Sequence, residues 1–156
     1  MAQNQIGLEP TDTKTLGDKL NTLLSNYQVF YMNTRGFHWN ITGEKFFELH
    51  AKFEELYNNL VLKVDEVAER ILTLGQTPLH TFSDYTALST IKEAKNISNG
   101  KEAMQQILDS FKTIILLQRE IAEDADAMAD EGTNALMSDY IREQEKLVWM
   151  YSAYLK

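Results

Sequence analysis

The stretch from Phe46 to Gly75 constrains this chain more than any other. It reads as one long helix carrying two pairs of metal-ligating residue types, His50 with Glu54 and Asp65 with Glu69. Residues four apart on an α-helix stand one turn above the other on the same face, so each pair can grip one ion. The two pairs cannot grip the same ion within one chain. His50 and Asp65 are 15 positions apart, roughly 22 Å at about 1.5 Å rise per residue, whereas metal–ligand bonds are only about 2.0–2.6 Å long. A second molecule has to supply the missing half.

On the helical wheel the four ligands span roughly 0° to 100° from His50, while the apolar stripe Leu49, Phe53, Leu56, Leu60, Val64, Val67, Ile71 and Leu74 centres near roughly −90°. The ligands therefore turn away from the chain's own core. They share their face with Ala51, Val61, Ala68 and Leu72, a mixture suited to contact between identical helices. Two copies crossing antiparallel near Asn58 to Val61 would set the His50/Glu54 end of one against the Asp65/Glu69 end of the other. A two-fold contact is isologous, so two equivalent sites result.

The remaining chain supplies helices to surround this one. Leu16, Leu20, Leu23, Tyr27, Phe30, Thr34 and His38 recur at three- and four-residue steps, predicting a first helix capped by Thr11 or Asp12 and ending near Asn40, with residues 1–10 as a flexible N-terminal segment. Ile41-Thr42-Gly43 turns the chain; Thr42 is the expected cap of the second helix, and Gly75 with Pro78 is its stop. Between Gln76 and Gly100 the pattern weakens to a crossover with a short helix over 83–90. Met104, Ile107, Phe111, Ile114, Gln118, Ile121 and Ala125 predict a third helix reaching about Ala129. Gly132 and Thr133 then supply a stop and a cap, and Leu136, Tyr140, Gln144, Leu147, Tyr151 and Leu155 a fourth helix. Seven Gly and two Pro leave little punctuation for a many-stranded fold. The expected class is all-α: one domain over residues 1–156, a four-helix bundle whose long crossover carries a short helix between helices two and three.

Composition narrows the chemistry. With no Cys there is no disulfide, thiolate zinc site or cysteine nucleophile. A net charge of −8 favours cations over nucleic acid and anionic membrane, and the 15 basic residues form no cluster of the kind that grips phosphates. Met1 to Pro10 lacks the basic flank and apolar run of a signal peptide, and no stretch has the roughly 18 apolar residues of a membrane span, so a cytoplasmic location is expected. Bundles that hold two irons internally offer Glu-x-x-His from each of two helices. That motif is absent, and Gln118 and Gln144 stand on the inward stripes instead. The shared site is the better reading, with His38 at the foot of the first helix as a fifth ligand. Two imidazoles and three carboxylates suit Fe(II), Mn(II) or Zn(II) better than Mg or Ca. Trp39 and Trp149 are expected as core or interface anchors, and Tyr57, Tyr140, Tyr151 and Tyr154 as packing residues.

The runs Phe37-His38-Trp39-Asn40, Phe46-Phe47-x-Leu49-His50, Phe53-Glu54-Glu55-Leu56-Tyr57, Val64-Asp65-Glu66-Val67-Ala68-Glu69-Arg70 and Leu74-Gly75 resemble the signature of the Dps family, the ferritin-like DNA-protection proteins of starved cells, also called miniferritins. The resemblance covers nearly the whole chain. It implies a hollow shell of twelve subunits that oxidises Fe(II), preferentially with hydrogen peroxide, at two-fold interfaces and stores ferric mineral inside. It also assigns His38, His50 and Glu54 to one subunit and Asp65 and Glu69 to its partner, with Zn or Mn as substitute metals. Glu54 is often Asp in the family, which lengthens one ligand arm here. Trp39 is placed beside the site as an electron donor or radical quencher. Acidic residues near the start of the last helix line iron-entry pores in the family, which points to Asp126, Asp130 and Glu131; Asn134 replaces a common Asp after the Gly-Thr pair. The family's DNA contacts reside in Lys-rich tails, and this N-terminus offers only Lys14 against Glu9 and Asp12, so direct DNA binding is not expected. Two other readings use the same residues: a DNA-compacting shell with secondary metal chemistry, and a helical assembly that holds Zn without turnover.

Overall fold

The computed structural model describes residues 2–156. It contains five helices in the order α1 (Pro10–Asn40), α2 (Phe46–Thr73), α3 (Phe82–Leu88), α4 (Gly100–Ala127) and α5 (Glu131–Leu155). Four long helices form the bundle, and α3 lies within the crossover between α2 and α4. Among the described residues there is no strand, and no helix is long and apolar enough to cross a membrane.

Each long helix buries the face that its spacing marked. On α1, Leu16, Leu20, Leu23, Tyr27, Phe30, Thr34 and His38 are all buried; on α4 the same holds from Met104 to Ala125 at the listed steps of three and four. α1 packs along α2 and α4 along α5, and α1 closes the bundle against α4. Aromatic rings fill the middle: Phe30 meets Phe111 edge-on at 5.1 Å, Phe111 meets Tyr151 at 5.9 Å, and Tyr27 meets Tyr140 edge-on at 6.1 Å. Two stripes deviate from expectation. On α5 it is Met137 that is fully buried and Leu136 only partly. On α2 a lysine, Lys63, is 4% exposed while Val64 is half-buried. Lys63 sits three residues after Leu60 and four before Val67, inside the apolar stripe. Its ammonium donates to Asn59 and to Glu143 of α5 at 2.9 Å and stands 5.1 Å from the Tyr140 ring.

The helix ends differ from the sequence expectations in instructive ways. α1 begins at Pro10, ahead of Thr11 and Asp12, because proline at the first helical position needs no partner for an N–H it lacks. The preceding residues are not featureless: Asn4 accepts the amides of Ile6 and Leu8 in a turn that lays Leu8 on the core. Thr42 does not cap α2, which starts four residues later; its N–H and hydroxyl both donate to the Ser98 carbonyl and tie the α1–α2 corner to the end of the crossover. α3 is capped by Thr81, and α4 by Asn99, which accepts the Glu102 amide. α2 ends into Gly75 at φ +85°, the left-handed conformation that glycine adopts without a Cβ penalty.

The crossover is held by α1 rather than by its own packing. Asn26 and Asn33 lie two turns apart on one face. Asn26 accepts from Ser89, Thr90 and Ile91, and Asn33 donates to the Lys92 carbonyl and accepts the Ala94 amide. Two asparagines thus satisfy backbone groups that an irregular segment could not pair by itself.

At the α4–α5 corner the new cap is Asp130, not Gly132 or Thr133. Its carboxylate accepts the Thr133 amide and hydroxyl and pairs with Arg70 of α2 at 2.8 Å. A Cβ on Gly132 would lie 2.8 Å from the Arg70 guanidinium, so a larger residue there would have to displace that guanidinium from its place beside Asp130. Replacing Asp130 with Ala removes a cap and strands a mostly buried guanidinium. The expected loss is about 2–4 kcal/mol, with Asp130→Asn losing less, measured as urea-unfolding free energy.

Candidate metal centre

The corner where α1 hands over to α2 brings His38 and His50 face to face. Their rings stack at 3.8 Å between centroids with a 13° interplanar angle. Each Nδ1 meets the other residue's backbone carbonyl, His38 Nδ1 to His50 O at 2.7 Å and His50 Nδ1 to His38 O at 2.8 Å. A carbonyl oxygen can only accept, so both Nδ1 atoms carry hydrogen and, in the neutral rings, both Nε2 atoms keep free lone pairs. This is the arrangement in which a backbone acceptor orients an imidazole for a metal. Phe46 stacks on the far side of His50 at 5.0 Å, and Tyr57 meets His38 edge-on at 5.3 Å.

Glu54 follows one turn after His50. Its Oε1 lies 3.8 Å from His38 Nε2, too long for a hydrogen bond but close to the separation of two atoms each about 2 Å from a common ion. His38 is buried, His50 half-buried and Glu54 exposed, so the cluster opens outward. The second pair lies further along the same helix. Asp65 and Glu69 are both exposed, and a hydrogen bond with Asp65 and its charge hold the Glu69 carboxyl above the ordinary carboxylate range. Two carboxylates one helical turn apart repel each other, and a cation between them would relieve that repulsion. The same face exposes Val61 between the pairs and Leu72 beyond the second pair. Among the described residues, no three His, Asp, Glu or Cys side chains converge as a site able to hold a metal ion. The candidate ligands therefore stand in two separate groups, His38, His50 and Glu54 at one end of α2 and Asp65 with Glu69 further along it.

The bundle interior offers no alternative. Where ferritin-like di-iron bundles project carboxylates and Glu-x-x-His inward, this chain closes a ring of three hydrogen bonds: the Tyr27 hydroxyl donates to Gln118, Gln118 donates to Gln144 at 2.7 Å, and Gln144 donates back to the Tyr27 oxygen at 2.7 Å. All three side chains are fully buried. Burial pushes the Tyr27 hydroxyl far above its ordinary value, and burial together with the Glu66 carboxylate does the same to Tyr140.

The chain matches the ferritin-like domain over residues 17–156. It is 43% identical over 148 residues to the DNA protection during starvation protein of Porphyromonas gingivalis, covering 95% of this chain and 93% of that one. The chain belongs to the Dps family of ferritin-like proteins. The crystal structure of the Dps protein of Vibrio cholerae O1 superposes with a TM-score of 0.98 at 59% identity, over 100% of this chain and 98% of that one, and is described as a member of a superfamily of ferritin-like diiron-carboxylate proteins. An uncharacterized protein of Haemophilus influenzae is 56% identical over 98% of this chain and 96% of its own length.

Within this Dps-family chain the remaining candidates separate. Asp126 and Glu131 are exposed at the α4–α5 corner, but Asp130 is 2% exposed and is spent on its cap and on Arg70, so it is a structural anchor rather than a surface carboxylate. The Asn134 amide donates to the Ala122 carbonyl across the corner. Trp39 and Trp149 are 59% and 66% exposed, and neither belongs to the core. Phe46, Tyr57 and the Tyr27–Gln118–Gln144 ring shape the site or exclude a rival to it. Sequence reasoning placed Tyr57 as packing and read Gln118 and Gln144 as the absence of inward carboxylates, but it missed the contacts among them, since helical spacing reports burial and not which polar atoms meet.

Two measurements test this geometry. Nitrogen-15 NMR of the imidazoles is expected to show both His38 and His50 as Nδ1–H tautomers when neutral; an Nε2–H tautomer at either would contradict the clasp. Asp65→Asn is expected to bring the Glu69 carboxyl down toward its ordinary range in a carbon-13 titration, because the neighbour that raises it is gone.

Proposed function

We propose that this protein is a ferroxidase and iron store of the Dps type: it oxidises Fe(II), preferentially with hydrogen peroxide, at sites shared by two subunits, keeps the ferric product inside a hollow shell of twelve, and so protects the cytoplasm from peroxide damage. The observation that carries the reading is the pair of incomplete sites on α2, one formed by His38, His50 and Glu54 and the other by Asp65 and Glu69. Each lacks what the other has, and an antiparallel two-fold contact through Val61 and Leu72 joins them twice.

In the joined site the two Nε2 lone pairs and three carboxylates hold ferrous substrate and favour the ferric state through their negative charge. Two ferrous ions give two electrons to one peroxide, which with two protons leaves as two waters, so no hydroxyl radical is released. Zn(II) and Mn(II) suit the same donors and would act as inhibitors or substitutes. Asp126 and Glu131 serve as acidic entry-pore residues. A net charge of −8 draws cations in and keeps DNA away.

Mixing defective subunits tests the sharing. Neither His50→Ala nor Asp65→Ala alone is expected to form ferric product with peroxide under anaerobic conditions at more than a small fraction of the wild-type rate. When the two are denatured and reassembled together, about a quarter of the sites become whole, the statistical share for random pairing across a two-fold contact. Activity that stays at the level of the separate variants would remove the shared-site assignment. In a gel-shift series at falling salt, where phosphate-driven binding strengthens, the particle is expected to leave duplex DNA unretarded; retardation at low salt would favour the DNA-compacting reading.

A further inference from the structure

Arg35 stands one turn before Trp39 on α1, with its guanidinium among three aromatic rings. Its central carbon is 4.8 Å from the centroid of Tyr57, 5.3 Å from Trp39 and 5.8 Å from Tyr31, and one Nη donates to the Tyr31 hydroxyl. Among the described residues, Arg35 forms no ion pair with a carboxylate. Within this chain its charge is surrounded by three ring faces and the Tyr31 hydroxyl. The same rings adjoin the candidate metal centre: Tyr57 touches His38 edge-on, and Trp39 follows His38 in the chain.

Trp149 provides a reference within the same molecule. Its exposure, 66%, is close to the 59% of Trp39, yet among the described residues no cation lies over its ring. A cation attracts a neutral ring through the ring's quadrupole. Once the ring has lost an electron, the same contact becomes repulsion between two positive charges. The guanidinium therefore makes Trp39 and Tyr57 harder to oxidise by one electron.

We propose that Arg35 is a redox guard, whose guanidinium protects the oxidisable rings beside the metal centre from one-electron oxidation. This runs against the electron-donor role expected for Trp39. The purpose of the guard rests on the iron chemistry proposed above; its effect on the rings does not. A ferrous ion that meets peroxide without a second one supplies one electron of the two required. If Trp39 supplied the other, Fe(II), H2O2 and the indole N–H would yield Fe(III), HO−, H2O and an indolyl radical, the indole giving up one electron and its Nε1 proton. A guarded ring gives up that electron more slowly, so reduction waits for the second ferrous ion and the protein is spared.

Photo-oxidation with riboflavin isolates the effect from iron. The excited flavin takes one electron from an indole, which releases its Nε1 proton; the reduced flavin passes that electron to dioxygen, and the superoxide formed adds with one proton to the indolyl radical, leaving a hydroperoxide whose oxidised tryptophan products peptide mass spectrometry counts. In the native particle, the ratio of Trp39 to Trp149 oxidation is expected to rise about two- to fivefold in Arg35→Gln, the factor corresponding to a cation–π contact at a partly exposed site. It is expected to stay near the wild-type ratio in Arg35→Lys, which keeps the charge. An unchanged or lower ratio in Arg35→Gln overturns the proposal, and so does an equal rise in Arg35→Lys. If Arg35→Gln loses the native particle mass, Arg35→Met, which retains the aliphatic stem against the rings, is judged by the same ratio. Iron-and-peroxide turnover of the wild type is scored separately: absence of ferric product refutes the ferroxidase reading and leaves the photochemical result standing.

Discussion

A straight α-helix cannot bend two pairs of ligands together when they are 15 residues apart, and the architecture around α2 answers that constraint. In the function proposed above, each end of the helix presents ligands that the other end needs, on a face the chain's own core does not cover, and a second copy running the other way would complete both sites without breaking either helix. Metal chemistry at this face would then depend on association, and the apolar side chains along the face would have a reason to stay exposed.

The interior closes off the competing solution. A ring of hydrogen bonds among Tyr27, Gln118 and Gln144 occupies the bundle interior, where ferritin-like di-iron bundles project their ligands, and each member is satisfied by the next. Neutral amides and a phenol held protonated by burial hold that space without charge. Nearby, the buried Lys63 is neutralised by Glu143, and Arg70 by Asp130, so two cations on α2 lock it to α5. The helix that carries the ligands is thus gripped from within the bundle while its outer face stays available to a partner.

At the site itself, rigidity comes from the backbone. His38 and His50 use one nitrogen each to hold the other's main chain, which aims the remaining nitrogens outward with Glu54. Because the clasp joins the last turn of α1 to the first turns of α2, the short Ile41–Lys45 connection fixes the site as well as the fold. The aromatic surroundings, Phe46 against His50 and Tyr57 with Arg35 beside His38, confine the rings and set their electrostatic setting.

Periodicity in the sequence determined the four long helices, most of their buried stripes and the spacing of the candidate ligands along α2, because helical spacing alone decides which side chains share a face. The family pattern also followed from local runs of residues. Tertiary structure decided what spacing cannot express. Thr42 looked like a cap but faces Ser98, and Asp130 looked like a surface carboxylate but caps α5 against Arg70. Lys63, which the spacing passed over, lies within the apolar stripe and finds Glu143 across the bundle. The reciprocal histidine clasp and the glutamine–tyrosine ring belong to the same class. Each joins side chains from different helices, and hydrogen-bond partners across a bundle depend on how helices dock, which the order of residues along any one of them does not encode.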